Sequence, residues 1–135
     1  MTLFPWDNKY EVGVGEIDDQ HKKLVSIINE LHEAMLLGKG RKVQGGIISE
    51  LVDYTRYHFQ TEEDKLLRYG FPGYAEHRGQ HNRFISKLAQ IQKKHLDAEY
   101  MVTLELNEFL KDWLSGHILG SDREYSDFLR SKGER

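Results

Sequence analysis

The feature that most constrains this chain is where its histidines fall on the apolar stripes of helical segments. After Asp19, residues Leu24, Ile28, Leu31 and Met35 recur at spacings of four, three and four, and His21 continues the same stripe. Residues three or four apart share a helix face, so that face is turned toward a core. His58 and Glu62 are four apart in a second helical stretch. In a third, His77 and His81 are four apart and lead into Phe84, Leu88 and Ile91, and His117 follows Trp113 by four in the last long stretch. A neutral imidazole in a core needs hydrogen bonds at both nitrogens or a metal at one, and a buried carboxylate needs a cation still more. A metal site answers all of these needs together.

The punctuation of the sequence sets the frame. Asp19 is placed to cap a first helix that ends at Gly38, and a second opens near Arg41 and stops at Gly70, with Gly45 and Gly46 weakening its first turns. Tyr69-Gly70-Phe71-Pro72-Gly73 reads as a turn, followed by a third helix from about Ala75 to His95 and a fourth from about Tyr100. Ser121 with Glu124 matches a capping box and predicts a short fifth helix over Asp122 to Arg130. Residues 1–18, with Pro5, Trp6, Tyr10 and several glycines, show no helical period and predict an extended arm lying along the body. Four long helices with short connections predict an all-α, antiparallel up-and-down four-helix bundle over residues 19–131, within a single domain spanning 1–135.

Composition narrows the chemistry. The 135 residues suit one domain, 39% are hydrophobic and 30% charged, and 19 basic against 22 acidic side chains give a net charge of −3 with the signs interspersed. No basic face for a phosphate backbone follows from that balance, so nucleic acid is not expected as a partner. Met1 to Trp6 hold no basic segment leading into an apolar run, and no stretch approaches the roughly 18 apolar residues of a membrane span, so a cytoplasmic location is expected. With no long exposed apolar stripe, the chain is expected to be a monomer. The absence of cysteine removes thiolate nucleophiles, iron–sulfur clusters and cysteine-based zinc sites, leaving histidines and carboxylates as ligands.

The candidate ligands are His21, His58, Glu62, His77, His81, His117 and Asp122. An imidazole-rich set without thiolate suits iron, zinc or copper better than magnesium or calcium. Seven ligands exceed one ion, so two metals sharing Glu62 and Asp122 as bridges is the economical arrangement. No histidine here has Glu three residues before it, which sets the pattern apart from the Glu-x-x-His sites of ferritin-like bundles. His117 and Asp122 are five apart, about 140° around an ideal helix, and Gly116, Gly120 and the Ser121 cap predict that the helix breaks or tightens between them. His32 shares the face of His21 to within about 20° but lies roughly 16 Å further along, beyond reach of the same centre. It is read with His95 as a polar boundary residue.

In this order, the pieces carry a resemblance. Trp6 with Tyr10-Glu11-Val12-Gly13, then Ile17-Asp18-Asp19-Gln20-His21 and His58-Phe59-Gln60-Thr61-Glu62-Glu63, resemble the bacterial hemerythrins. So do Tyr69-Gly70-Phe71-Pro72, His77-Arg78-Gly79-Gln80-His81 and the run from Trp113 to Asp122, which extend the likeness over almost the whole chain. The resemblance implies an oxygen-bridged, non-haem di-iron centre that binds dioxygen reversibly. It would place His77, His81 and His117 on one iron and His21 and His58 on the other, with Glu62 and Asp122 bridging. Two octahedral irons offer about twelve positions, of which this set with one oxygen bridge fills about eleven.

The family positions also imply an apolar oxygen pocket of Leu24, Phe59, Trp113, Leu114 and Ile118, although each of these equally suits plain core packing. Leu66 departs from the methionine often found at its position in the family. Dioxygen transport, storage or delivery to an oxygen-consuming enzyme is the expected function, because the bundle leaves no room for an output domain within these residues. An oxygen- or redox-sensing module, or a di-iron enzyme acting on peroxide or nitric oxide, is the alternative. Catalysis is not expected: the pocket offers no evident general acid or base apart from Tyr125, near Asp122.

Overall fold

The computed structural model describes residues 10–38, 41–96 and 102–134, apart from some side chains within the helices. The expectations for Pro5 and Trp6 lie outside the described residues. Helix α1 runs over Gly15–Leu36, α2 over Arg41–Tyr69, α3 over Tyr74–Leu96 and α4 over Val102–Trp113. A π-helical segment, Leu114–Ser121, then leads directly into α5, Asp122–Ser131. Helix α1 packs on α2 and α4, and α3 packs on α2 and α4, closing the antiparallel four-helix bundle that the apolar stripes predict. Among the described residues no helix is long and apolar enough to cross a membrane.

Two clusters divide the interior. The larger is filled by Leu24, Ile28 and Leu31 of α1, Ile48 and Leu51 of α2, Leu88 and Ile91 of α3 and Leu106 of α4. The smaller joins Val12, Val14 and Ile17 to Leu66, Tyr125 and Leu129. Val12 and Val14 thus lie against α5, and the Ser126 hydroxyl donates to the Val12 carbonyl at 2.9 Å.

The first helix begins earlier than its sequence suggests. It opens at Gly15 with Val14 at the N-cap, so the helix starts four residues before Asp19, which is exposed. The carboxylate that ties this end down belongs to Asp18. Its Oδ1 accepts from the Val12 N–H at 2.7 Å and its Oδ2 from the Gly13 N–H at 3.2 Å. A carboxylate in the first turn also faces the positive end of the helix dipole, so Asp18 serves helix and arm together.

At the other end of α2, Gly70 has φ +70°. Its N–H donates to the Leu67 carbonyl at 3.2 Å and the Phe71 N–H donates to the Leu66 carbonyl at 2.9 Å, the paired bonds of a Schellman stop. The turn leaves Phe71 edge-on to Tyr125, with ring centroids 6.5 Å apart. It thereby positions α3 so that His77 and His81 face inward.

No break separates α4 from α5. Trp113 and Asp122 both keep right-handed helical angles, and the Asp122 N–H donates to the His117 carbonyl. The expected break or tightening is instead a widening, in which i→i+5 bonding stacks residues five apart along one face. The Ser121 side chain, half of the expected capping box, lies outside the described residues, and Glu124 is exposed.

Candidate metal centre

Each element delivers its side chains to one point in the bundle. Helix α1 supplies His21, α2 supplies His58 and Glu62 one turn apart, and α3 supplies His77 and His81 one turn apart. The π segment supplies His117, and Asp122 follows as the first residue of α5. All seven are buried, with His21, His58, Glu62 and Asp122 fully so.

Their donor atoms form two overlapping groups. Glu62, His77, His81, His117 and Asp122 bring donor atoms within 4.8 Å of one another, and so do His21, His58, Glu62 and Asp122. Both carboxylates belong to both groups. Asp122 Oδ1 lies 2.9 Å from His117 Nε2 and 3.1 Å from His77 Nε2, while its Oδ2 lies 3.1 Å from His21 Nε2. Glu62 Oε1 lies 3.1 Å from His58 Nε2 and 3.4 Å from His81 Nε2, and Oε2 lies 3.8 Å from His77 Nε2. The Nε2 atoms of His81 and His117 face each other at 3.1 Å. The structure therefore brings together all seven expected ligand residues and divides the histidines three to two.

Several of these atoms are orphaned. Nε2 of His21, His58 and His77, Oε1 of Glu62 and both carboxylate oxygens of Asp122 are buried and have no hydrogen-bond partner among the described residues. Leaving a buried polar atom unsatisfied costs about 1–3 kcal/mol, more for a charged one. Six such atoms converging on one interior point fit cations, for which imidazole and carboxylate are established ligand types.

Protons stand in for that positive charge in the metal-free chain. Burial opposes a charged imidazole at His77, but the nearby carboxylates of Asp122 and Glu62 outweigh it and push its pKa up to about 10. His21 is raised too, because Asp122 outweighs burial, and His81 is raised because Glu62 and Glu63 do. At Asp122, burial and the Glu62 charge resist ionisation, yet His117 and His21 hold the carboxyl well below the usual range. Glu62 is likewise held low, with His58, His77 and His81 overcoming burial. Tyr125, fully buried, has its phenol pKa raised by burial and by the Asp122 and Glu62 charges, so it stays protonated and donates to Glu62 Oε2.

A further ring of contacts aims the imidazoles. With Nε2 turned inward, Nδ1 of His58 donates to Gln20 Oε1 at 2.8 Å, Nδ1 of His81 to Glu63 Oε2 at 2.8 Å and Nδ1 of His117 to Gln80 Oε1 at 2.8 Å. Nδ1 of His21 donates to the Tyr10 carbonyl at 3.3 Å. Such partners fix the tautomer and ring direction of a ligating histidine. Sequence reasoning missed Gln20, Glu63 and Gln80 in this role. Each adjoins an expected ligand, about 100° around its helix and therefore toward a neighbouring helix, and this adjacency was the available signal.

The apolar surroundings are uneven. Phe59 stacks on His81 with centroids 3.7 Å apart and planes 1° apart, and Trp113 stacks on His117 at 5.0 Å and 15°. Leu24 and Ile118 are fully buried in the larger cluster, whereas the side chain of Leu114 lies outside the described residues. Leu66 is fully buried in the smaller cluster beside Tyr125. His32 is only partly buried and belongs to neither donor group, while the side chain of His95 lies outside the described residues.

Comparison with known proteins gives this geometry a context. The model of the hemerythrin HHE cation binding domain matches residues 12–129. The chain is 34% identical to a bacteriohemerythrin of Stenotrophomonas maltophilia over 131 residues, covering 97% of this chain and 84% of that protein. It is 32% identical to a bacteriohemerythrin of Methylococcus capsulatus, covering 96% and 98%. A crystal structure of wild-type hemerythrin superposes with a TM-score of 0.87 at 32% identity, covering 94% of this chain and 98% of that one. A single-substitution mutant of hemerythrin gives 0.88 at the same identity, covering 96% and 98%. Similarity of sequence and of fold over nearly the whole length, with the seven side chains converging inside the bundle, makes this chain a member of the hemerythrin family.

Proposed function

We propose that the protein binds dioxygen reversibly at a di-iron centre held by His21, His58, Glu62, His77, His81, His117 and Asp122. The observation that carries this reading is the pair of overlapping donor groups, three histidines against two, sharing both carboxylates. Two iron ions held there would supply the electrons that reversible dioxygen binding needs. The three-histidine group would complete one ion's coordination, and the two-histidine group would leave the other with room for an external ligand.

The chain's own residues supply the conditions. Phe59 stacks on His81, and Leu24 and Ile118 are buried in the larger cluster; lining the ligand site as their family positions imply, they would exclude water and with it the external protons that favour irreversible oxidation. The Leu114 and Trp113 side chains are assigned to the same lining by family position. Tyr125 keeps its proton and directs it at Glu62 rather than into open space, so no free acid is aimed at the ligand site. Carriage or storage, with release to an oxygen-consuming enzyme, follows from such a lining better than turnover does. The monomeric state and cytoplasmic location expected from the sequence belong to the same reading.

The test is a gas cycle on purified protein. Iron is quantified, the protein is reduced without air, dioxygen is added and then removed under inert gas while visible absorption is followed. About two irons per chain and a band that appears and disappears reversibly are expected. Consumption of dioxygen with release of reduced products would instead make the centre an enzyme or a redox sensor.

A further inference from the structure

The histidine braces are not chemically equal. Those of His21, His58 and His117 are neutral oxygens, a backbone carbonyl and two side-chain amides. Among the described residues, the brace of His81 alone is a carboxylate, Glu63 Oε2, at 2.8 Å. Nδ1 of His77 has no such partner among the described residues. Glu63 is mostly buried, with 14% of its side chain exposed. Its other oxygen faces Arg78 Nε at 3.7 Å, but Arg78 is 58% exposed, so solvent and salt screen that guanidinium while the carboxylate charge remains near the imidazole. The Phe59 ring lying flat on His81 at 3.7 Å keeps water off one face of that imidazole.

A carboxylate accepting the distal N–H of a ligating imidazole makes a charge-assisted bond and raises the ligand's basicity. More electron density at Nε2 favours the higher oxidation state of the metal it holds. We propose that Glu63 is a positioning residue that, through His81, biases the three-histidine metal toward its oxidised state, making the two metal positions electronically unequal. The asymmetry is built by one side chain: a glutamine there would brace the imidazole as Gln20 and Gln80 brace theirs, without the charge.

This inference rests on the di-iron reading above, and its test separates the two. Glu63→Gln keeps an oxygen acceptor at the same reach and removes only the charge. Iron per chain and the equilibrium between oxidised and reduced protein at fixed ambient potentials are measured for both proteins by anaerobic redox titration. The variant is expected to keep two irons and to shift the reduced-to-oxidised ratio upward by about tenfold, equivalent to about 59 mV for a one-electron couple. Absorption of the oxidised centre should shift with it, which a merely structural brace would not cause. Two bound irons with an unchanged ratio would overturn the inference and leave the di-iron reading intact. Loss of iron in the variant alone would also overturn it, assigning Glu63 to metal retention. Failure of the unsubstituted protein to hold iron would overturn the di-iron reading itself.

Discussion

The backbone N–H of Asp122 donates to the carbonyl of His117, five residues earlier, so the two side chains rise from one face and meet at 2.9 Å. In an α-helix the same spacing would set them about 140° apart. The π segment is therefore what allows a single helical rod to supply both a histidine and a shared carboxylate.

That register is testable by length. Inserting an alanine after Gly120 sets His117 and Asp122 six apart, about 120° around an α-helix, and is expected to turn Asp122 off the shared face and abolish metal loading while circular dichroism stays helical. Gly120→Ala should do the reverse. A Cβ at Gly120 meets nothing within 4 Å, so alanine should leave iron content unchanged and raise stability by about 0.4–1 kcal/mol, read by urea unfolding.

Removing a ligand should cost both metal and fold. His77→Ala and His117→Ala each leave Asp122 and its neighbours with a charge unmatched in the interior. We expect loss of iron and destabilisation of the metal-free chain by about 1–3 kcal/mol, measured by elemental analysis and denaturant unfolding. His32→Ala, outside both donor groups, should leave iron content unchanged.

Tyr125→Phe isolates the phenol. It deletes the hydrogen bond to Glu62 while keeping the ring that packs against Phe71 and His77. A bond to a charged acceptor contributes about 1.5–3 kcal/mol, so the metal-free variant should unfold earlier in urea by that amount, with iron retained after loading.

The C-terminal end gives a pH signature. Lys65 Nζ lies 3.0 Å from Glu134 Oε2 and 3.2 Å from Glu16 Oε1, and Tyr69 donates to Glu134 Oε1 at 2.9 Å. The Lys65 and Tyr69 hydrogen bonds lower the Glu134 pKa from 4.5. Burial opposes the Lys65 charge, but Glu134 and Glu16 outweigh it and raise its pKa above 10.5. A lowered carboxyl pKa stabilises the fold above about 4.5 and loses that contribution as pH falls through the lower folded value. A raised lysine pKa stabilises it below about 10.5 and loses that contribution as pH rises through the higher one. The difference in melting temperature between the unsubstituted chain and Glu134→Gln should therefore be full between these limits and shrink outside them. Partial exposure keeps it within about 1 kcal/mol.

Much of this was legible in the sequence because it depends on spacing alone. The i, i+4 pairs His58–Glu62 and His77–His81 lie on apolar stripes, and stripes decide which face turns inward whatever the helix ends do. The start of α1 was not legible. Asp18 and Asp19 are equally good cap residues by type, and only the folded arm, offering the Val12 and Gly13 N–H groups, favours Asp18. The mismatch between His117 and Asp122 was visible as a five-residue gap, but the glycines nearby pointed to a break. Whether a helix closes such a gap by breaking or by widening depends on what Asp122 finds inside, which lies on three other helices.

The braces around the histidines run in chain order. Gln20 of α1 holds His58 of α2, Glu63 of α2 holds His81 of α3, and Gln80 of α3 holds His117 of the π segment. Each brace sits next to a ligand of its own helix yet serves the following one. Turning α1, α2 or α3 about its axis would displace its own ligand and release its neighbour's at once. Anyone transplanting this centre into another bundle would therefore have to move adjacent pairs such as Gln20-His21 and Gln80-His81 as units, because ligands copied singly would arrive without the aim that the preceding helix gives them.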